Sequence, residues 1–330
     1  MVMTDYHPSR SLESTYLPLV LMSLDEWKMV YINGPNHINF LQSQLTINVK
    51  TLLPHQHLIT AHCNPKGKIW STIRLFHHDN GLAYITRRNV IETQSHILKK
   101  YAVFSKTNIV IDKNYVLLGI AGYQSRSMLE TIFKPLPDSI SPVVHSENNV
   151  LLWFGEPSER FLLITTIKQA LVIREILIVK EKLYDSNQWL ALDIAAGLPI
   201  IDNNTSGQFL PQETNLQELN AISFNKGCYI GQEIIAQTQF RNSTKRSLYW
   251  LTGTTESIPK AGDALEMKLD HEWRRSGTIL AACQIGKSTT WIQAILKKNL
   301  KENTSLRLLN DHKGKLMIQR LPYKLYNTKI

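Results

Sequence analysis

The densest run of chemistry-bearing residues in this 330-residue sequence is Lys226-Gly227-Cys228-Tyr229-Ile230-Gly231-Gln232-Glu233. Two glycines bracket a cysteine, and a lysine stands two residues before it. Glycine permits backbone angles and close approaches closed to other residues, so the spacing predicts a tight turn at Cys228. The residues from Gln232 to Gln237 can begin a helix. Its positive end and the nearby Lys226 would both favour thiolate, lowering the free thiol's pKa of about 8.5. The other reading is a buried cysteine in a turn chosen for its glycines, and the residues alone leave both open. No His–Asp pair accompanies the cysteine, so protease-like catalysis has no support. Asp193 and Glu233 are the remaining candidates for a positioned acid or base.

The other two cysteines read as structural. Cys283 follows the apolar Ile279 to Ala282, and Cys63 lies at the end of a strand between His62 and Asn64. Three scattered cysteines without a C-x-x-C fit neither a disulfide framework nor a zinc knuckle, and fall short of the roughly four ligands a cluster needs. His55, His57, His62, His77 and His78 crowd the first part of the chain, but adjacent residues of a strand point to opposite faces and no zinc-ligand spacing is present. No metal site is expected. Glycine-rich phosphate loops are also missing from the sequence.

These residues must be positioned by folded elements. Met29 to Ile32 reads as a strand, Gly34-Pro35 as a turn, and His37 to Leu45 as a helix. His57 to His62, Ile69 to Phe76 and Leu82 to Thr86 form a meander reversed at Asn64-Pro65-Lys66-Gly67 and Asp79-Asn80-Gly81. Asn187 to Ala196 reads as a helix with Ser186 as N-cap and Gly197 past its end, placing Trp189 and Asp193 one turn apart on one face. After Arg246 the short strands Leu248 to Leu251, Trp291 to Leu296, Leu306 to Leu309 and Leu316 to Arg320 predict a barrel-like all-β domain.

The length leaves room for more than one core, and 43% hydrophobic with 19% charged residues is ordinary globular material. The longest clean apolar runs fall far short of the roughly 18 residues that span a bilayer, and the first residues lack the order of a secretory signal. The expectation is a cytoplasmic protein. Its excess of 37 Lys plus Arg over 27 Asp plus Glu attracts phosphates and makes RNA a reasonable partner, although a Lys-rich surface without a basic block gives the same count.

At Lys226 to Glu233 the chain resembles the YgfZ family, whose signature reads K-G-C-[FYW]-x-G-Q-E. The likeness extends to Gln44 with Thr46, Lys66-Gly67-Lys68, Lys100 to Lys106, Gly207 to Gln212, Trp273-Arg274-Arg275 and Leu321-Pro322-Tyr323. The resemblance implies an α+β fold similar to the glycine-cleavage T protein, with two α+β domains and a C-terminal β-barrel around a central folate site. The expected segments are 1–112, 113–240 and 241–330, with the first two free to interleave. Trp27 and Trp189 match the positions the family assigns to folate, and an indole can stack on a flat pteridine or aminobenzoyl ring.

One departure stands out. The wider family often carries a glutamate that holds the pterin edge, in I-E-A-G; this chain reads Ile194-Ala195-Ala196-Gly197, and Asp193 is the folate-site carboxylate that could compensate if its side chain turns inward. The resemblance further implies a role in tRNA modification through support of iron–sulfur enzymes, and a link to the replication initiator DnaA. Three functions therefore stand side by side: a folate-binding accessory protein, a folate-dependent one-carbon transferase, and a basic RNA-binding module.

Overall fold

The computed structural model describes residues 19–177 and 184–325. In chain order the elements are β1 (Val20–Ser23), β2 (Trp27–Asn33), α1 (His37–Gln44), β3 (His57–Cys63), β4 (Ile69–His78), β5 (Gly81–Arg87), α2 (Arg88–Ala102), β6 (Asn108–Ile111) and β7 (Tyr115–Ala121). Then follow α3 (Ser125–Leu129), β8 (Val143–Ser146), β9 (Asn149–Phe154), β10 (Arg160–Thr166), α4 (Ile167–Ile176), α5 (Ser186–Ala195) and α6 (Gln232–Phe240). The last six are β11 (Arg246–Thr254), β12 (Ala264–Leu269), β13 (Glu272–Ile285), β14 (Thr289–Lys297), β15 (Leu306–Leu308) and β16 (Lys315–Gln319).

Contacts divide the chain into two units that interleave along the sequence. One takes the described residues of Met1–Ile38, Thr51–Leu58 and Arg74–Leu192; the other takes Asn39–Lys50, Ile59–Ile73 and those of Asp193–Ile330. The expected segments 1–112 and 113–240 each contribute to both units, and the barrel strands begin at Arg246 inside the expected 241–330.

In the first unit an antiparallel sheet has the order β1-β7-β10-β9-β8. Leu118, Ile120, Leu151, Phe161 and Leu163 of this sheet pack with Ala170 and Ile173 of α4 in one core. Thr166 caps α4 by accepting from the Gln169 amide at 3.3 Å. A second sheet, β3-β4-β5-β2-β6, contains the expected meander. In the second unit β11-β14-β13-β12-β15-β16 close into a barrel, β16 pairing β11 from Trp250↔Gln319 to Thr254↔Lys315. That seam is tight at Gly253, where the Lys315 carbonyl leaves no room for a Cβ. Register shifts at Leu265/Glu266 and Ile279/Ala281 bend β12 and β13, as closing so short a barrel demands.

The start of α5 differs from the sequence expectation. The Ser186 hydroxyl does not serve the helix end; it accepts from the Glu26 amide at 3.1 Å and donates to the Ser23 carbonyl at 3.0 Å. The cap is Asp185, whose carboxylate accepts from the Asn187 amide at 2.8 Å. Asp fits this position because its short side chain reaches the exposed amides of the first turn.

His57, His77 and His78 serve packing and backbone bonding. His57 Nε2 is 2.7 Å from the Trp153 carbonyl oxygen, His77 Nε2 is 3.0 Å from that of Leu52, and His78 meets Tyr31 and Tyr115 edge to face. Among the described residues no three His, Cys, Asp or Glu side chains converge in a way that could hold a metal ion. His62 is fully buried, and burial lowers its pKa from 6.5 to about 4. The unfolded chain binds a proton near pH 6.5 that the folded chain refuses until about 4. Stability present above pH 6.5 is therefore lost on acidification through this window, by up to about 3 kcal/mol from this group. Urea midpoints measured from pH 7 to pH 4 should fall more steeply for the parent than for His62→Gln. Equal slopes would contradict the assignment.

Candidate functional site

Residues 226–233 form a loop that ends in α6, and nearly every residue in it is held by a nameable bond. Lys226 is buried, and its ammonium donates to the carbonyls of Gln42, Leu45 and Ile47 at 2.6, 2.7 and 2.6 Å. Gln42 and Leu45 belong to the last turn of α1 and its exit, where helix carbonyls lack intrahelical partners, so the lysine completes that end of the helix. Burial draws its pKa down from 10.5 to about 8, while three charge-assisted bonds favour the charged form. The ammonium also lies 4.8 Å from the centre of the Tyr229 ring. An ammonium has three N–H donors and all three are engaged on the backbone. Lys226 therefore has no donor left for the Cys228 sulfur, and its hydrogen bonds make it a clamp on the backbone.

The rest of the loop follows the same logic. Tyr229 is buried in a cluster with Cys63, Ile69, Leu216 and Ile235. The Ile230 amide donates to the Ser43 carbonyl at 3.1 Å. Gln232 Oε1 accepts from the Tyr229 amide at 3.3 Å and its Nε2 donates to the Lys226 carbonyl at 3.5 Å, so this one side chain spans the turn. Gly231, at φ +82°, precedes α6; a Cβ there would lie 2.6 Å from the Asn64 carbonyl oxygen and 2.9 Å from Gly67 Cα. Only glycine fits both the angle and that approach. Gly67, at φ +71°, faces Gly231 in return, which gives the Lys66-Gly67-Lys68 turn its place.

Between these anchors Gly227 and Cys228 are exposed, and a Cβ on Gly227 would meet nothing within 4 Å. Cys63 and Cys283 are buried, and burial pushes the Cys63 thiol well above its ordinary value. The cysteine in the turn is thus the accessible one of the three. Glu233 is exposed and accepts from Gln237 Nε2 at 3.2 Å. Asp193 is buried in the last turn of α5, one turn after Trp189.

A neighbouring group was not singled out by residue type. Glu213, nearly buried, accepts from the Leu210 amide and Arg246 Nε, each at 2.8 Å, and lies 3.5 Å from Lys68 Nζ. Gln212 Nε2 donates to the Ile235 carbonyl at 2.7 Å. The Gly207–Gln212 segment is thereby bound to α6, to the glycine turn and to the first barrel strand. Its likeness to the family was the only signal in the sequence, because a lone buried glutamate announces nothing by spacing.

Trp27 and Trp189 lie in the other unit, and both are core residues at 6% and 2% exposure. A guanidinium covers each ring: Arg87 at 4.5 Å over Trp27 and Arg160 at 4.2 Å over Trp189. Phe154 meets Trp189 edge to face, and Gly119 fits so closely that a Cβ would come within 2.6 Å of Trp189 Cε3. The bond from the Glu26 amide to Ser186 ties together the segments that carry the two indoles. Ala195 is buried at the end of α5 and offers no acceptor.

Removing the clamp measures its worth. Lys226→Met keeps the apolar stem but leaves three buried carbonyls without their donor, and should destabilise the protein by about 3 kcal/mol or more. Urea unfolding reads this directly, and a loss below about 1 kcal/mol would show that water replaces the ammonium.

Comparison with known proteins places this geometry. Residues 244–311 match the family model described as "YgfZ, beta-barrel domain". The chain is 48% identical to the tRNA-modifying protein YgfZ of Pectobacterium atrosepticum, over 94% of each. It is 45% identical to that of Serratia proteamaculans over 98% of each, and 48% identical to that of Yersinia pseudotuberculosis over 96% of each. Among solved structures, the glycine cleavage system aminomethyltransferase T from Bartonella henselae superposes with a TM-score of 0.75, covering 94% of this chain and 87% of that one at 18% identity. The fold is that of the T protein, and the chain belongs to the YgfZ family.

Proposed function

We propose that this protein is a folate-binding accessory factor in tRNA modification, that it supports iron–sulfur enzymes, and that Cys228 is its functional thiol. The observation that carries the reading is the contrast within one loop: Lys226, Tyr229 and Gln232 are fixed by buried bonds, while Cys228 between them is left facing solvent. A thiol held exposed at such cost in ordered backbone is suited to chemistry or to a partner rather than to packing. The relatives' name, tRNA-modifying protein, supplies the process. Support of iron–sulfur enzymes and the link to DnaA rest on the resemblance alone, and the cytoplasmic setting is the expectation drawn from the sequence's cysteine usage and short apolar runs.

Folate follows from the family resemblance and the T-protein fold. The residues present suit it in chemistry: two indoles provide aromatic walls, and Arg87 and Arg160 provide cations for an anionic ligand. A bound reduced folate would supply a one-carbon unit or a redox-active pterin. Because both rings are buried and covered, the ligand must share them with the guanidinium groups or open the packing. The one-carbon transferase reading is weaker here, since its acid–base candidates are a buried Asp193 and a Glu233 already bonded to Gln237.

Titration with tetrahydrofolate should quench tryptophan fluorescence saturably. Trp27→Phe or Trp189→Phe should weaken binding about 2- to 10-fold, the range expected for altering an aromatic contact. Unchanged affinity in both variants would remove folate from this site. For the thiol, Cys228→Ser should fail to restore tRNA modification to cells lacking the protein, whereas full restoration would reduce the cysteine to a packing residue.

A further inference from the structure

We infer that the turn following α2 is a docking surface for a single-stranded segment of RNA, with Phe104 as a stacking platform for a base and Lys99, Lys100 and Lys106 as phosphate contacts. The inference takes its partner class from the tRNA-modification reading, but it involves neither Cys228 nor the tryptophans. Phe104 is 95% exposed, and Tyr101 and Val103 beside it are also exposed. Lys99, Lys100 and Lys106 stand exposed around them. A groove of about 460 Å³ runs at this turn, lined by Lys99, Ala102, Val103, Lys106, Thr107 and Asn108, with no carboxylate among its lining residues.

The display is fixed by backbone bonds. The Ser105 amide and hydroxyl both donate to the Ala102 carbonyl, at 2.9 and 2.8 Å, closing the turn that carries Phe104 outward. Lys106 adopts φ +50°, and its carbonyl packs so closely on Gly34 that a Cβ there has no space. Holding a phenyl ring in water on a pinned turn forfeits most of its burial energy, which only a partner can return.

The chemistry of the surroundings selects that partner. Protein–protein interfaces are enriched in aromatics but depleted in lysine, whereas this surface has three lysines within eight residues of one exposed phenylalanine. Phosphates pair with lysine, and a base stacks on any aromatic face regardless of sequence. The base must be unpaired, because duplex RNA hides base faces within its own stack. The groove beside the turn gives the backbone its track, and the exposed Asn108 at the start of edge strand β6 extends it with an amide.

Fluorescence anisotropy with a labelled 12-nucleotide oligouridylate, over a salt series, tests this. The parent should bind saturably at low salt. Phe104→Ala should bind about 5- to 150-fold more weakly, Phe104→Trp should bind at least as well as the parent, and Lys99→Ala with Lys106→Ala should lower the salt slope by about 1.4. Because these side chains are exposed, thermal midpoints should not move. Absence of saturable binding, or equal affinity and slope in all variants, would overturn the inference; so would a Phe104→Ala that keeps RNA affinity but loses a protein partner. Tetrahydrofolate titration of the parent separates the two readings: intact folate binding without saturable RNA binding sinks this surface and leaves the proposed function standing.

Discussion

A buried ammonium is costly unless its hydrogens all find acceptors, and Lys226 meets that requirement with three main-chain carbonyls. The same bonds complete the C-terminal end of α1, so the charge and the helix end each satisfy what the other lacks. From this point the loop geometry follows in order. The lysine fixes the loop's first residue, Tyr229 sinks into the core directly after Cys228, and Gln232 bridges the two ends. Gly231 and Gly67 permit the backbones to touch. A thiol at Cys228 is left outside because both of its flanks are drawn in.

How much of this the sequence discloses depends on whether the pattern is local. The strands of the meander, the helices α1, α5 and α6, and the barrel's β11, β14, β15 and β16 are legible, since alternation, helical spacing and turn residues are short-range signals. Strands β7, β9 and β10 are continuous apolar runs, such as Phe161 to Ile164, that lack a distinguishing period because they are buried. The motif announced a special turn at Cys228, and the glycines give the reason. It did not announce what Lys226 bonds, because the carbonyls of Gln42, Leu45 and Ile47 lie about 180 positions away and carbonyls leave no residue-type signature. Proximity along the chain draws attention to the thiol, whereas the hydrogen bonds of the side chain run to these distant carbonyls. The replacement of Ser186 by Asp185 as helix cap has the same character: both residue types suit the position, and the distant Glu26 amide and Ser23 carbonyl claim the serine.

The tryptophans show the complementary limit. Residue type and family likeness single out Trp27 and Trp189, yet each is a packed core side chain under a guanidinium. Packing and binding are compatible only if the arginines are part of the contact, since their charge is what an anionic ligand would meet. Arg160 is fully buried between Trp189 and Phe154, at 4.2 and 5.1 Å from the ring centres, an arrangement that lowers the cost of enclosing its charge. Such an aromatic enclosure ties the position of the cation to the rings beside it. The candidate residues of the two units thus share one device, a buried cation whose solvation is supplied by protein groups rather than by water.

The central claim, that Lys226 is a protonated and immobilised clamp, is tested most directly by nitrogen-15 NMR of its ammonium group at neutral pH. The account predicts a resolved Nζ resonance with slowly exchanging protons and scalar couplings to the carbonyl carbons of Gln42, Leu45 and Ile47. An ammonium that exchanges as fast as exposed lysines, or a neutral amine at pH 7, would contradict it.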